Sequence, residues 1–338
     1  MSKIRVAING FGRIGRVTFR KLVKNENIEV VAINDLGDVD NLAHLVRYDT
    51  VHGRFDGVVE VVDGALVVNN HKIQVLQQPN PSLLPWKELA IDIVLESTGN
   101  FVAKEDAIRH VNDSGAKKVI ISAPAKADQD DVKFVVLGIN DDIIDKDDVI
   151  ISNASCTTNC VAPMIKVLDD LWGIEKAFIT TVHSYTKDQN IIDGPHRDYR
   201  RGRTAATSIV PTTTGAAKAV SRVFPHLKDN LGGCGIRVPV PDGSLTDLTC
   251  TLTRPTSVEE INAAFKKAAE EGPMKGILEY TEHPIVSVDI LGNPYSAVFD
   301  AGLTSVLGDK NKLVKIIAWY DNEMGYSSRL VELIEKFA

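Results

Sequence analysis

The chain has little of what marks secreted, membrane or nucleic-acid-binding proteins. Only four of its 338 residues are cysteines, and none has a His or Cys partner at zinc-binding spacing, so we predict no disulfide framework and no metal site. No apolar run approaches the ~20 residues of a membrane helix. We therefore expect no membrane partner, and a formal net charge of −7 argues against nucleic acid as the main ligand.

The N-terminus also lacks a recognisable targeting segment. Residues 1–5 lead directly into a predicted strand, without a hydrophobic region or a cleavage site, so we expect a cytoplasmic protein. What is present is an ordinary globular composition, 44% hydrophobic and 25% charged. This length predicts roughly two domains, each able to bury a core.

The first 35 residues follow the order of a dinucleotide-binding unit. An apolar strand at residues 4–8 leads into a glycine-rich turn at residues 10–15, and a helical pattern and a second strand follow. Asp35 comes after that strand, where a carboxylate would accept hydrogen bonds from ribose hydroxyls. Because a carboxylate would repel a 2′-phosphate, the pattern favours NAD over NADP.

Each glycine of this turn has a physical role in the predicted site. Gly10 would make the tight turn, Gly12 would let the backbone approach a pyrophosphate, and Gly15 would let the helix pack on the sheet. The helix N-terminus would face the phosphates. A GxGxxG turn alone is a weak signal, but strand, helix and acid together make a dinucleotide site the favoured interpretation.

Residues 53–78 interrupt the alternation of strands and helices. Three short strand patterns with turn signals between them predict a β-meander inserted in the nucleotide-binding domain. The alternation then resumes, and Thr98, Gly99 and Ser122 follow predicted strands. Open α/β sheets bind ligands at the carboxyl ends of their strands, so these residues are candidate cofactor contacts, although plain loop chemistry explains them equally well.

Cys156 lies between a predicted buried strand at residues 149–152 and a helical pattern at residues 161–168. A thiol at a helix N-terminus has a lowered pKa, and the thiolate is the nucleophile. A lone cysteine is more often a small buried hydrophobe, and the neighbouring Ser and Thr are ordinary N-caps. The run at residues 155–160 alone therefore leaves both interpretations open.

His183 ends a predicted strand in the same part of the chain and is the best candidate base, although a single His is more often structural. A long loop follows, with four arginines at residues 196–203, which fit an anion site or a network of salt bridges. Residues 211–218 offer hydroxyls and N–H groups at a helix start, which also suits an anion. Arg237 lies in a strand-like run, where burial without a partner would cost free energy.

These patterns predict an α/β fold with two domains. Residues 1–155 would form a Rossmann-type nucleotide-binding domain, completed by a C-terminal amphipathic helix at residues 325–338. Residues 156–324 would form an α+β catalytic domain with a mainly antiparallel sheet.

Several segments together resemble the glyceraldehyde-3-phosphate dehydrogenase family: residues 9–16, 152–160, 183–186, 212–218, 237–239 and 319–326. The resemblance extends from residue 4 to residue 333, and the run around Cys156 is its most specific part. It implies oxidation and phosphorylation of D-glyceraldehyde 3-phosphate to 1,3-bisphosphoglycerate with NAD and inorganic phosphate, through a cysteine thiohemiacetal and thioester. This reaction belongs to glycolysis and gluconeogenesis, and the family is typically homotetrameric.

The resemblance also implies roles for individual residues. Cys156 would be the nucleophile and His183 the base. The predicted contacts to the substrate and to inorganic phosphate are Ser155, Thr157, Thr186, Arg203, Thr214, Gly215 and Arg237. The predicted cofactor contacts, from the glycine motif, the strand ends and the resemblance together, are Gly10, Gly12, Arg13, Ile14, Gly15, Asp35, Thr98, Gly99, Ser122, Asn322 and Tyr326.

Three alternatives remain beside this interpretation. Erythrose-4-phosphate dehydrogenase is a sister activity with the same thiol and the same cofactor fold. A non-catalytic, redox-sensing NAD-binding protein would use an exposed Cys156 differently. A Cys–His hydrolase would not need the nicotinamide site.

Overall fold

The computed structural model describes residues 2–126, 132–308 and 311–338. The chain divides into two compact units. Unit 1 consists of Met1–Val135, Asp142–Ala154 and Ser327–Ala338, and unit 2 consists of Val136–Asp141 and Ser155–Tyr326.

Among the described residues before Ser155, unit 1 contains a nine-stranded sheet, a two-stranded ribbon and four short helices. Its strands are β1 (Ile4–Asn9), β2 (Ile28–Asn34), β3 (Tyr48–Asp49), β4 (Gly53–Arg54), β5 (Val59–Val62), β6 (Ala65–Val68), β7 (His71–Leu76), β8 (Ile93–Glu96), β9 (Lys118–Ile121), β10 (Lys133–Phe134) and β11 (Ile150–Ser152). Its helices are α1 (Arg13–Leu22), α2 (Val39–Arg47), α3 (Lys104–Ala107) and α4 (Arg109–Asn112).

The sheet of unit 1 has the order β10-β11-β9-β8-β1-β2-β7-β6-β5. Neighbours from β10 to β7 pair in parallel, as a Rossmann-type sheet requires. The meander β5-β6-β7 pairs antiparallel, and β7 joins it to the parallel part beside β2. The predicted Rossmann-type sheet with an inserted meander is therefore present.

Up to residue 323, the described part of unit 2 contains an eight-stranded sheet and three further helices. In chain order its elements are α5 (Cys156–Trp172), β12 (Ile174–Ser184), β13 (Val210–Thr212), α6 (Ala216–Val223), β14 (Leu231–Val238), β15 (Ser244–Leu252), α7 (Val258–Glu270), β16 (Leu278–Thr281), β17 (Ala297–Asp300), β18 (Ser305–Leu307) and β19 (Leu313–Tyr320). The strand order is β13-β14-β12-β15-β19-β17-β16, with β18 on β19. Pairing is antiparallel except for β12 with β14 and β16 with β17, as the mainly antiparallel prediction requires.

The last helix, α8 (Met324–Phe337), ends the chain. From Ser327 onwards it belongs to unit 1. Its apolar face (Leu330, Leu333, Ile334 and Phe337) is buried. Lys118 Nζ donates to the Phe337 carbonyl at 2.6 Å and lies 4.6 Å from the centroid of that ring, so strand β9 holds the end of the helix.

Residues 104–112 form two short helices, α3 and α4, that meet at Ile108. One boundary of the predicted domains differs in the structure. Residues 136–141, predicted in the first domain, belong to unit 2. Gly138 shows why, because a Cβ there would lie 2.5 Å from the Pro273 carbonyl oxygen and 2.6 Å from Ile277. Within the described ranges, no helix has the length and apolar composition that a membrane span needs.

The core of unit 2 gives a test of packing. Phe265 of α7 stacks on Phe299 of β17 with ring centroids 3.9 Å apart, and neither side chain is exposed. We expect Phe265→Ala to lower the free energy of unfolding by about 3–5 kcal/mol, measured by urea denaturation, because it leaves a ring-sized cavity. Phe265→Leu is the matched control and should cost less. A loss below about 1 kcal/mol for the alanine variant would contradict this packing.

Candidate active site

The start of α5 positions the candidate nucleophile. Ser155 is the N-cap, and its Oγ accepts a hydrogen bond from the Thr158 N–H at 3.0 Å. Ala154, with φ of +53°, turns the chain sharply before this cap. Cys156 is consequently the first residue of the helix, and the residue as a whole is of intermediate exposure.

The thiol of Cys156 lies beside an imidazole. Its Sγ is 3.4 Å from Nε2 of His183, a residue at the end of β12 whose ring is buried. On the other side of the ring, Nδ1 is 2.8 Å from the Ser184 carbonyl oxygen and 2.6 Å from Nη1 of Arg237. Nη1 also donates to the Ser184 oxygen at 2.9 Å. Cys156, His183 and Arg237 thus form one connected cluster.

Strand pairing explains why Arg237 reaches His183. Strands β12 and β14 pair in parallel with His183 opposite Arg237, so the two side chains are neighbours. Arg237 is half-buried, and the Ser184 carbonyl gives its guanidinium a partner there. The predicted cost of burying this charge is therefore offset by a hydrogen bond.

Burial sets the protonation of the pair. Burial and, next to it, the charge of Arg237 lower the pKa of His183 to about 3, so the imidazole is neutral at pH 7. Burial also raises the pKa of the Cys156 thiol, although Arg237 and the Thr157 N–H oppose the rise. The sequence predicts a lowered thiol pKa from the helix N-terminus. The structure differs because the desolvation of the thiolate outweighs the favourable charges.

Tyr320 supports this cluster and was not singled out from the sequence. Its buried hydroxyl lies 2.9 Å from Thr157 Oγ1 and 2.8 Å from Thr181 Oγ1, and its ring makes an edge contact with His183. The Thr157 hydroxyl, predicted as a phosphate contact, is thus engaged by Tyr320. The antiparallel pairing of β15 and β19 brings this tyrosine to the site, and no local pattern in the sequence reveals that pairing.

Asn322 is oriented by two hydroxyls. Its Oδ1 accepts from Ser184 Oγ at 2.9 Å and from Ser244 Oγ at 2.6 Å, which fixes the amide plane. Neither serine was predicted. Ser184 is adjacent to His183, so the amide and the imidazole are held through the same strand end. Tyr326, the other predicted nicotinamide contact in this segment, is buried.

The predicted anion-binding residues have different surroundings. Thr214 Oγ1 accepts from the Ala216 N–H at 3.1 Å, and Gly215 opens α6 with open space where a Cβ would lie. Thr186 is partly exposed in the loop after β12. Arg203 forms an ion pair with Asp193 of its own loop at 2.9 Å and is largely exposed, so it is not joined to the Cys156 cluster here.

The glycine-rich turn of unit 1 has the geometry that a dinucleotide needs. Gly10 has a φ of +92°, and a Cβ there would lie 2.5 Å from the Thr98 nitrogen. A Cβ at Gly15 would lie 2.3 Å from the Gly10 oxygen. At Gly12, the N-cap of α1, nothing lies within 4 Å of a Cβ. The turn is tight where it packs and open at the helix N-terminus, which fits a pyrophosphate.

The other predicted cofactor residues surround that turn. Asp35 accepts hydrogen bonds from the Phe11 N–H at 2.7 Å and the Gly37 N–H at 2.9 Å, which orient its carboxylate. Arg13 forms an ion pair with Asp49 at 2.5 Å. Thr98 and Gly99 lie two and three residues after the end of β8, and Ser122 follows β9 directly, all at the carboxyl ends of parallel strands. Ile14 lies in the first turn of α1.

Comparison with known proteins adds an independent finding. The family model "Glyceraldehyde 3-phosphate dehydrogenase, NAD binding domain" matches residues 4–104, and the model of the C-terminal domain of the same family matches residues 155–322. The chain is 56% identical to glyceraldehyde-3-phosphate dehydrogenase of Streptomyces coelicolor over 332 residues, covering 98% of this chain and 97% of that protein.

Two other relatives carry the same name. The protein from Clostridium pasteurianum is 53% identical over 337 residues, covering 99% of this chain and 98% of the relative. The protein from Geobacillus stearothermophilus is 54% identical over 331 residues, covering 98% and 97%. With both domain models and nearly full-length relatives in agreement, the chain belongs to the glyceraldehyde-3-phosphate dehydrogenase family.

Proposed function

We propose that Cys156 and His183 carry out the oxidative phosphorylation of D-glyceraldehyde 3-phosphate, with unit 1 as the NAD-binding domain and unit 2 as the catalytic domain. The single observation that carries this proposal is the 3.4 Å contact between Cys156 Sγ and His183 Nε2 at the start of α5. A thiol beside a neutral imidazole is a nucleophile with its base in place. Membership of the family makes NAD the cofactor and dehydrogenation the reaction.

The first step forms a bond between sulfur and carbon. His183 Nε2 takes the thiol proton as Sγ attacks the aldehyde carbon, and the proton then goes to the former carbonyl oxygen, giving a thiohemiacetal. The neutral imidazole suits this role because it can accept the proton. Since burial raises the pKa of the thiol, proton transfer to His183 and attack by sulfur belong to one event.

The second step oxidises the thiohemiacetal to a thioester. His183 removes the hydroxyl proton again, and the carbon gives up a hydride, which NAD accepts when it is bound. Asn322 is proposed to hold the nicotinamide amide, since Ser184 and Ser244 both donate to its Oδ1 and fix its plane. Tyr326 is proposed to flank the ring.

The third step releases the product. An oxygen of inorganic phosphate attacks the thioester carbon, the bond from carbon to sulfur breaks, and an acyl phosphate leaves while the thiol regains a proton. Thr186 and Arg237 are proposed to hold the substrate phosphate, and Ser155, Thr157, Thr214 and Gly215 the attacking phosphate. For Arg203 to join them, its ion pair with Asp193 would have to open.

We also propose that the protein works as a homotetramer in the cytoplasm, without nucleic acid as its main ligand. Large apolar side chains of unit 2 are exposed in the single chain, with Phe178 at 70% and Ile192 at 75%, and subunit contacts would cover such surfaces. All four cysteines are unpaired, which fits a reducing compartment.

The substrate is tested by NADH formation with purified protein. We expect turnover with glyceraldehyde 3-phosphate that depends on inorganic phosphate, and a higher kcat/KM than with erythrose 4-phosphate at equal concentrations. NAD should be preferred to NADP, because Asp35 places a carboxylate after β2. Turnover that favours the four-carbon aldehyde would point to the sister activity instead.

The nucleophile is tested by Cys156→Ser. We expect kcat to fall at least about 10³-fold, because an alcohol is far less acidic than a thiol and makes a poorer leaving group, while the Kd for NAD stays unchanged. Cys234→Ser is the matched control, since Cys234 is exposed on β14, and it should keep full activity. Comparable kcat values for the Cys156 variant and the wild type would refute the proposed chemistry.

The base is tested by His183→Asn. We expect kcat to fall by about 10²–10⁴, because the thiol and the thiohemiacetal hydroxyl lose their proton acceptor. Alkylation of Cys156 by iodoacetamide should slow as well. This rate measures how His183 activates the thiol and does not depend on NAD or on the aldehyde. His226→Asn removes an exposed histidine that pairs with Asp169 and should leave both rates unchanged. A kcat within about fivefold of wild type for the His183 variant would exclude it as the base.

A further inference from the structure

A buried polar network crosses the carboxyl edge of the sheet in unit 1. Asn9, Asn34 and Glu96 are the last residues of the parallel strands β1, β2 and β8, and the register places Asn9 opposite both of the others. All three side chains are buried. Fully buried Glu is rare unless every oxygen is satisfied, so this carboxylate needs an explanation that the catalytic chemistry does not give.

The orientation of the amides is fixed from the β2 side. The Gln78 N–H donates to Asn34 Oδ1 at 2.8 Å, and the Gln78 carbonyl accepts from Asn34 Nδ2 at 2.9 Å. The same Nδ2 donates to Asn9 Oδ1 at 2.7 Å. Asn9 must then present Nδ2 to Glu96, and it donates to Oε2 at 2.5 Å.

The imidazole of His110 is fixed from the opposite side. Trp86 Nε1 can only donate, and it lies 2.9 Å from His110 Nδ1, which therefore accepts. The ring proton is then on Nε2, which donates to Glu96 Oε2 at 3.1 Å. Neither the Trp86 nor the His110 side chain is exposed, so both hydrogen bonds of the imidazole are buried.

The second oxygen of Glu96 holds the loop after β8. Oε1 accepts from the Thr98 N–H at 2.8 Å and from the Thr98 hydroxyl at 2.5 Å. Thr98 Oγ1 in turn accepts from the Asn100 N–H at 3.0 Å. All four groups that contact Glu96 are donors, and both ends of the network direct their hydrogens toward it. Glu96 fits this arrangement because both of its oxygens can accept. The side-chain amide of a glutamine at this position would direct its own N–H groups at some of these donors.

The segments held by this network are the three that follow the strands. Gly10 comes after Asn9, Asp35 after Asn34, and Thr98 two residues after Glu96. Ser97 Oγ also donates to the Gly10 oxygen at 2.6 Å, which joins the first segment to the third. These segments carry the pyrophosphate turn, the ribose carboxylate and a strand-end loop.

We propose that Glu96 is a positioning residue for NAD, whose buried carboxylate holds the glycine turn, the Asp35 segment and the Thr98 loop in the geometry that binds the dinucleotide. This inference rests on NAD being the ligand of unit 1. Glu96 itself lies beneath the three segments and acts on NAD through them. Its effect should appear in cofactor affinity and not in the chemical step.

The test compares Glu96→Gln with the wild-type full-length protein. Calorimetric titration with NAD should show a Kd raised at least about tenfold, because one donor to the former carboxylate loses its acceptor. In steady-state assays KM for NAD should rise similarly, while kcat at saturating NAD and KM for the aldehyde change less than about twofold. Loss of folded protein alone would lower the apparent kcat and leave KM for NAD unchanged. A rise in KM for NAD at constant kcat therefore indicates a positioning role and not a loss of stability.

Trp86→Phe is the matched control within the same network. It removes the outermost donor but leaves all four hydrogen bonds of Glu96, so the Kd for NAD should stay within about twofold of wild type. If Glu96→Gln does not fold, Asn34→Asp is the alternative variant. It places a carboxylate oxygen against the Gln78 carbonyl and Asn9 Oδ1, and it should raise the Kd for NAD. An unchanged Kd in a folded Glu96 or Asn34 variant, or an equal loss in Trp86→Phe, would overturn the proposal. Failure of the wild type to bind NAD would reject the cofactor assignment itself.

Discussion

The structure depends on the contact between a thiol and an imidazole that come from different elements. Cys156 is fixed by the N-cap that starts α5, and His183 is fixed by the end of β12. The 3.4 Å separation exists only because the helix begins at that residue and because the sheet of unit 2 holds β12 between β14 and β15. Moving either end by one residue would turn the sulfur or the ring away.

Charge around the pair follows from burial. A buried imidazole is neutral, and the guanidinium of Arg237 at its Nδ1 strengthens that preference. The thiol is likewise held protonated by desolvation, so the resting site is a neutral pair beside one cation. That cation offers a partner to an anionic substrate. Its Nη1 donates to the Ser184 carbonyl and lies close to His183 Nδ1, and an anion bound there would balance its charge.

The structural features that the sequence predicts are local ones. The glycine turn, Asp35 and the helix start at Cys156 each depend on a few consecutive residues, so their residue types and order suffice to predict them. The contacts that join strands are different. Tyr320 of β19 reaches Thr157 of α5 and Thr181 of β12, which are far from it in the chain. His110 of α4 reaches the buried carboxylate of Glu96. Neither has a periodic or motif signal. The helix N-terminus alone predicts a lowered pKa for Cys156, whereas burial raises that pKa, and burial at the site is a tertiary property.

The most direct test of the central claim is the chemical site of the covalent intermediate. The protein would be mixed with NAD and glyceraldehyde 3-phosphate without inorganic phosphate, quenched in acid, and mapped by peptide mass spectrometry. The account predicts an acyl group of the substrate on the peptide that contains Cys156, removed when phosphate is added before the quench. NADH formed with no adduct on Cys156, or an adduct on another residue, would contradict it.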